Sequence, residues 1–462
     1  MFNPEVYAER RKRLKELVGS GLILLAGNTD SPMNYPGNQY HFRQDSTFLY
    51  FFGLDEAGLA GAIDCDTGHE MLYGNDIDIE DVIWMGPQPT LKEKGVKVGI
   101  SCTFPLKELE TAVERTKKES RPIHIIPPYR SDNRLFLSGV LSVSHTELKT
   151  FVSEKLIKAI VALRSIKDQY EIAEIDKACD IGYLMHTMAM KLCKPGRIER
   201  ELSGAMEGIA LSLGAGVSFP VILSMNGETL HNHYHGNILE TGRLMVQDAG
   251  AETDLHYASD FTRTIPVGGK FSQKQKEIYQ LVLDANNIST QMIKPGIPYR
   301  DCHFKAAEVI AEGLKALGLM KGDVKDAVQK GAHCLFFPHG LGHMMGLDVH
   351  DMEDLGENYV GYNDKIKRSE LFGTAYLRLA RELQEGFVLT VEPGIYFIPA
   401  LIDMWQKENK FAEFINYDKV NEYRSFGGIR IEDDILVTKD GYRLMGKQRV
   451  PATVEEIENI MK

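Results

Sequence analysis

One pattern occurs twice in this chain and limits its folds more than any other feature. Leu192-Cys-Lys-Pro-Gly196 follows a helical stretch, and Met292-Ile-Lys-Pro-Gly296 follows another. After the first copy, Thr241-Gly242 precedes an apolar strand, Leu244-Met-Val-Gln, that ends in Asp248. After the second, Glu385-Gly386 precedes Val388-Leu-Thr-Val and then Glu392. In both copies the acidic residue stands six positions beyond the turn glycine. Lys-Pro-Gly is an uncommon tripeptide, and two of them at helix ends point to a duplicated α/β half. Each half would then deliver a carboxylate to a shared centre. No shorter solenoid period is present.

A chain of 462 residues exceeds one ordinary domain. The composition shift falls near residue 160 and predicts two domains, 1–160 and 161–462. The first reads as a small α/β unit, with an amphipathic helix from Pro4 to Leu17 and a strand at Leu22–Leu25. Thr47-Phe-Leu-Tyr-Phe-Phe52 runs apolar without alternation and is expected as a buried strand. Gly61–Asp64 reads as another strand, closed by the turn Asp66-Thr-Gly68. From Ser153 the stripe Ile157, Ile160, Leu163, Ile166 is helical. It resumes as Ile172, Ile175, Ala178, Ile181, Met185 after a polar break at Lys167-Asp-Gln169. The fold class is therefore α/β throughout, with helices and strands alternating in the larger domain.

Hydrophobic residues make up 43% of the chain and charged residues 26%, which suffices for a core and argues against disorder. The formal charge of −12 makes nucleic acid a poor partner. The six cysteines form no CxxC pair and read as reduced thiols, which points to the cytoplasm. Gly21–Gly27 is a short apolar run behind a charged helix and reads as a first strand, not a signal peptide. No stretch reaches the roughly 18–20 apolar residues of a membrane span.

Several acidic and histidine residues stand where a bland role is insufficient. Asp248 ends a strand, and aspartate is a poor strand residue. Asp260, in Asp260-Phe-Thr-Arg-Thr, is expected opposite it across a β-hairpin. His339-Gly-Leu-Gly-His343 and His350 put three histidines among glycines, which favours a loop over a helical turn. Glu392 stands between an apolar strand and Pro-Gly, and Glu432 lies in Gly428-Ile-Arg-Ile-Glu-Asp-Asp434. Taken singly, each has an ordinary reading as a turn, cap or solvated strand end. Together Asp248, Asp260, His343, Glu392 and Glu432 offer oxygen donors with one imidazole, a set that suits Mn²⁺, Co²⁺, Fe²⁺ or Zn²⁺. Four neighbouring carboxylates cannot all ionise without cations, and two divalent ions balance them. Such a pair activates water and clamps a carbonyl oxygen, so hydrolysis is the chemistry implied.

These motifs, in this order, resemble the pita-bread metallopeptidases, which include aminopeptidase P, prolidase and methionine aminopeptidase, with creatinase as a relative. Phe42-Arg-Gln-Asp-Ser46 and the following Thr47–Gly53 resemble the creatinase-like N-terminal domain of aminopeptidase P and prolidase, which methionine aminopeptidases lack. The resemblance implies a C-terminal pita-bread fold of duplicated halves behind that domain. It implies two metal ions, Mn²⁺ first, with Co²⁺, Zn²⁺ or Fe²⁺ as alternatives. Asp248 would bind one ion, His343 and Glu392 the other, and Asp260 and Glu432 would bridge. Glu392 would also take a proton from the attacking water, and His339 would assist at the scissile bond. His350 would line the proline pocket. His231 would contact substrate, with His233 as the alternative in Thr229-Leu-His-Asn-His-Tyr-His235. Arg430 would hold the carboxylates in place. The same resemblance implies a homodimer.

Proline-containing dipeptides or short peptides are the implied substrates, cut between the N-terminal residue and proline. Arg378 stands fourteen positions before Glu392, an offset at which prolidases of mammalian type contact the free carboxylate of a dipeptide. A guanidinium fork fits that group. The insert Pro399–Tyr423 also resembles prolidase. The expectation is therefore an Xaa-Pro dipeptidase, with an Xaa-Pro aminopeptidase acting on longer peptides as the alternative. Retention of all five ligand positions disfavours a metal-free creatinase-like hydrolase and a non-catalytic binding protein on the same scaffold.

Overall fold

A computed structural model describes every residue from Met1 to Lys462. It divides into two compact units. One comprises Met1–Arg164 with Asp354–Tyr359, and the other Ser165–Glu353 with Val360–Lys462.

The smaller unit is built on a five-stranded mixed sheet. Its spatial order is Cys102–Pro105, Glu70–Gly74, Ala60–Asp64, Leu22–Ala26, Ile123–His124. Leu22–Ala26 runs antiparallel to Ala60–Asp64, with Leu24 opposite Ala62, and parallel to Ile123–His124. One core forms under it from Leu24, Ala62, Leu109, Val113 and Leu137. The turn after Ala60–Asp64 closes as expected: Asp64 Oδ1 accepts from the backbone N–H of Asp66 and Thr67, and Gly68 takes φ 80°.

The expected strand at Thr47–Phe52 is instead a helix, Ser46–Phe52. Two local signals outweigh the aromatic run. Asp45 Oδ1 accepts from Phe48 N at 2.8 Å, capping the first turn, and Gly53 stops the helix in the left-handed region at φ 62°. All seven helical residues are buried, so no polar face existed to print a helical period on the sequence. Its seat is cut to fit: a Cβ on Gly61 of the sheet would stand 2.0 Å from the Phe52 ring.

The larger unit carries the duplication in its hydrogen bonds. Helices Gln169–Leu192 and Glu199–Leu213 flank the first Lys-Pro-Gly; Gln273–Gln291 and Tyr299–Ala316 flank the second. Gly196 and Gly296 have φ 86° and 87°, and their N–H groups donate to Leu239 O and Leu383 O, each at 2.8 Å. Glu199 N donates to Asn237 O and Tyr299 N to Arg381 O, both at 3.0 Å. Equivalent backbone atoms thus find equivalent partners in both copies, as the repeat predicts. The long first helix starts on a reciprocal cap between Asp168 and Glu171.

Each half then supplies an antiparallel strand pair. Leu244–Ala249 pairs with Phe261–Pro266, placing Asp248 opposite Thr262. Val388–Val391 pairs with Asp433–Val437, and Gly394–Tyr396 with Gly428–Arg430. Between these two ladders the regular pairing is interrupted on both strands, at Glu392-Pro393 on one side and Ile431-Glu432 on the other, while the register is kept: Val391 faces Asp433 before the gap and Gly394 faces Arg430 after it. Proline has no N–H to give a ladder, so the break is written into the sequence. The kept register sets Glu392 and Glu432 opposite each other at one level.

Candidate metal centre

The strand ends bring three of the five expected ligands to one place. One carboxylate oxygen each from Asp260 and Glu432 and one ring nitrogen of His343 lie within 4.8 Å of one another, all three residues buried. Asp260 immediately precedes the second strand of the first half, and its N–H donates to Asp434 Oδ2 at 2.9 Å, which fixes the backbone there. The close turn before it requires Gly250, where a Cβ would meet Ser259 O at 1.7 Å. Glu432 is set by Thr262: its N–H donates to Thr262 O at 3.0 Å, and Thr262 Oγ1 donates to Glu432 Oε2 at 2.7 Å.

His343 sits in a loop, as the glycines predict. Its N–H donates to Thr390 Oγ1, and Nδ1 lies 3.0 Å from Met344 O. A carbonyl only accepts, so Nδ1 carries the proton and Nε2 presents a bare lone pair. That lone pair faces Asp260 Oδ2 at 3.4 Å and Glu392 Oε1 at 3.9 Å. Burial, reinforced by His350, keeps the ring neutral well below its usual range, so these contacts are not ion pairs. Acceptors facing acceptors need a cation or protons between them.

Arg430 gathers the rest. Nη2 meets Asp248 Oδ2 at 2.5 Å, Nε donates to Thr262 Oγ1 at 3.0 Å, and Nη1 to Tyr396 Oη at 2.9 Å. Tyr396 Oη in turn lies 2.9 Å from His339 Nε2, and His339 Nδ1 lies 2.8 Å from Gly340 O. Donor and acceptor roles close in one direction along Arg430, Tyr396, His339 and Gly340. Burial, then Arg430, hold His339 near a pKa of about 3, so its ring is neutral. Its Nδ1 is 3.8 Å from Glu392 Oε2.

The electrostatics tell the same story. Burial raises Asp260 well above the usual carboxylate range, with Glu432 and Asp248 adding to it. Burial also raises Glu432, with Glu392 next. Burial lifts Glu392 to about 7, against the opposing pull of Arg430 and Arg378. Asp248 Oδ1 and Asp260 Oδ1 are buried without a hydrogen-bond partner. Two orphaned oxygens, a bare imidazole nitrogen and crowded carboxyls form an acceptor-only lining, and a divalent cation is its natural complement.

The other expected residues lie around this centre. His350 packs edge-on against His343 with ring centroids 4.1 Å apart and meets Glu353 Oε2 at 2.5 Å through Nδ1. Arg378 Nε reaches the same carboxylate at 3.3 Å. Arg378 follows a short 3₁₀ turn, Thr374–Tyr376. His231 is on an exposed loop, where partial burial and then Arg430 lower its pKa; Asp248, Arg378 and His350 also act on it. Arg430 pairs with Asp248 rather than with its neighbour Glu432. Two supporting residues went unassigned in the sequence, Tyr396 and Thr262. Both stand inside the motifs, Tyr396 four positions after Glu392 and Thr262 two after Asp260, but their partners lie over thirty residues away in the chain.

This geometry defines a hydrolytic metal centre on a duplicated α/β scaffold, and comparison with known proteins assigns it. Residues 173–439 match the model of metallopeptidase family M24, and residues 7–125 match the N-terminal domain of aminopeptidase P. The chain belongs to metallopeptidase family M24 and has its pita-bread fold. It is 33% identical over 459 residues to a probable Xaa-Pro aminopeptidase of Uncinocarpus reesii, covering 96% of this chain and 90% of that protein. It is 31% identical over 470 residues to the human Xaa-Pro dipeptidase, covering 100% and 92%. Among solved structures it is similar to aminopeptidase P of Pseudomonas aeruginosa (28% identity, TM-score 0.81) and to that of Escherichia coli in complex with product and substituted with zinc (27%, TM-score 0.81). Both alignments cover 100% of this chain and 98% of the other. No helix is long and apolar enough to cross a membrane.

Proposed function

We propose that this metallopeptidase cleaves the bond between an N-terminal residue and proline, and that it does so as an Xaa-Pro aminopeptidase on short peptides. The observation that carries the reading is the convergence of Asp260, His343 and Glu432 within 4.8 Å, in a chain whose relatives carry the names of Xaa-Pro peptidases. The sequence alone favoured the dipeptidase form. The names of the fungal relatives and the structural likeness to aminopeptidase P favour the aminopeptidase form. The dipeptidase remains the second reading, on the strength of Arg378, whose charge acts on Glu392, and of the human relative.

Asp248, Asp260, His343, Glu392 and Glu432 are the residues we assign to two divalent ions. Manganese is the first choice and cobalt, zinc or iron(II) the alternatives, since the donor set accepts any of them. Such ions, when bound, lend Lewis acidity to a peptide carbonyl and acidity to water. Glu392, whose carboxyl titrates near 7 in the metal-free fold, takes a proton from the attacking water and carries it to the proline nitrogen. His339, anchored by Tyr396 and Gly340, assists at the scissile bond beside Glu392. His350 and His231 contact substrate; His231 is preferred over His233 because it exchanges charge effects with Arg430, Asp248 and His350. Arg430 holds Asp248 and, through Thr262, Glu432. Proline in second position donates no backbone N–H, so an apolar pocket must replace that recognition.

Residues 1–160 are assigned to a separate N-terminal domain. Its helix Ile79–Met85 buries none of its residues and leaves Ile79, Ile83 and Trp84 exposed at 75%, 73% and 80%, which supports a homodimer. Six free thiols support a cytoplasmic setting, and the acidic charge supports peptides over nucleic acids. The test compares Xaa-Pro dipeptides with their tripeptide extensions, with Mn²⁺ added. Faster cleavage of the tripeptide is expected. A strong dipeptide preference would restore the dipeptidase reading, and inert substrates of both lengths would refute the function.

A further inference from the structure

Lys167 and Asp351 form an ion pair that no step above employs. Nζ lies 2.9 Å from Oδ2, and each side chain is 1% exposed. Desolvation of so deep a pair offsets most of its attraction, and apolar groups of similar volume hold a fold as well or better. Stability therefore does not explain it. Its neighbours do. Asp351 N donates to Met344 O at 2.9 Å, the carbonyl that also accepts His343 Nδ1 at 3.0 Å. Asp351 Oδ1 lies 3.4 Å from Asp348 N, which closes the loop that carries His350 onto His343. On the other side, Lys167 N donates to Gly386 O at 2.9 Å, at the glycine that opens the strand leading to Glu392. Gly346 makes room, since a Cβ there would stand 2.6 Å from Asp351 Oδ2 and 3.0 Å from Lys167 Cε.

We infer that Lys167 and Asp351 are a positioning pair: they lock the Met344–Asp351 loop to the segment preceding the long first helix, and so fix His350 where substrate meets the centre. This rests on the reading of His350 as a substrate contact. It also gives Lys167 a purpose in the polar break Lys167-Asp-Gln169, whose Asp168 caps the helix that follows.

The test replaces both partners at once, Lys167→Met with Asp351→Leu, so that no lone buried charge remains. Thermal melting, bound metal per chain, KM and kcat on an Xaa-Pro tripeptide, and the His350 imidazole NMR signal of the metal-free protein are measured. The expected result is an unchanged or higher Tm, unchanged metal, a KM raised about tenfold, and a shifted His350 signal with that of His186 unmoved. Wild-type KM with an unmoved His350 signal overturns the proposal. So does a fall in kcat alone that follows the folded fraction, because that marks a purely structural pair. If the wild-type protein turns over no Xaa-Pro peptide, the peptidase reading fails, and the His350 signal alone decides the pair.

Discussion

Arg430 Nη2 and Asp248 Oδ2 meet at 2.5 Å, while the other oxygen of Asp248 stays buried with no partner. One carboxylate is thus divided between a permanent guanidinium and an open valence. Arg430→Met removes the fixed half. Asp248 then has an uncompensated charge and Thr262 loses a donor. Metal affinity should drop by about 10- to 100-fold, as for other partners that orient ligands. Competition with a chelator of known affinity measures it, and undiminished retention would refute the role given to Arg430.

Metal uptake should release protons. Burial raises Asp260, Glu432 and Glu392, the last to about 7, so the empty centre holds protons at neutral pH that ligation must expel. Apparent affinity for Mn²⁺ should therefore climb as pH rises toward and through about 7. Calorimetric titration in buffers of different ionisation enthalpy counts the protons; a count of zero near pH 6 contradicts the arrangement.

The same carboxyls set a stability slope in the metal-free protein. Their folded pKa values exceed the unfolded ones, so their contribution is complete below the unfolded value and is lost as pH rises through the folded one. For Glu392 that loss runs between roughly 4.5 and about 7. Chelated protein should melt at a lower temperature at pH 8 than at pH 6, and added metal should erase the difference.

A second slope, of opposite sign, comes from buried histidines outside the proposed ligand set. Burial depresses His186 to about 4, His303 to about 3 and His333 to about 4. Each stays neutral in the fold while its unfolded counterpart takes a proton below roughly 6.5, so stability falls as pH drops from there toward 3 or 4. His303, both of whose ring nitrogens lack partners, is the clearest case. His303→Leu should flatten the loss of urea midpoint between pH 7 and pH 5. An unaltered slope would show that other groups govern acid unfolding.

Glu392→Gln keeps the volume and hydrogen-bonding shape of the side chain but removes its capacity to carry a proton. Hydrolysis should fall by about 100- to 10,000-fold, with the fold intact by circular dichroism. Residual activity within a few-fold of the wild type would mean that another base serves the water.

The chain's repeat was readable because it rests on local punctuation: a Lys-Pro-Gly turn and a glycine before a strand force the same backbone course twice. The convergence of Asp260, His343 and Glu432 was readable because carboxylates at strand ends are costly without a purpose. What escaped notice depends on distance in sequence. Tyr396 acquires its meaning only from His339 and Arg430, and Thr262 only from Glu432, each brought close by strand pairing. The helix Ser46–Phe52 escaped for another reason. Burial on all sides erases periodicity, and only Asp45 and Gly53 at its two ends betray it.

The broken ladder at Glu392-Pro393 and Ile431-Glu432 has a mechanical corollary. In this register Glu392 stands opposite Glu432, so the two acids share one face of the sheet, and the paired interruption leaves a short gap beside them in an otherwise regular ladder. Ionic radius can then be accommodated by small adjustments of two peptide units, with the rest of the framework undisturbed.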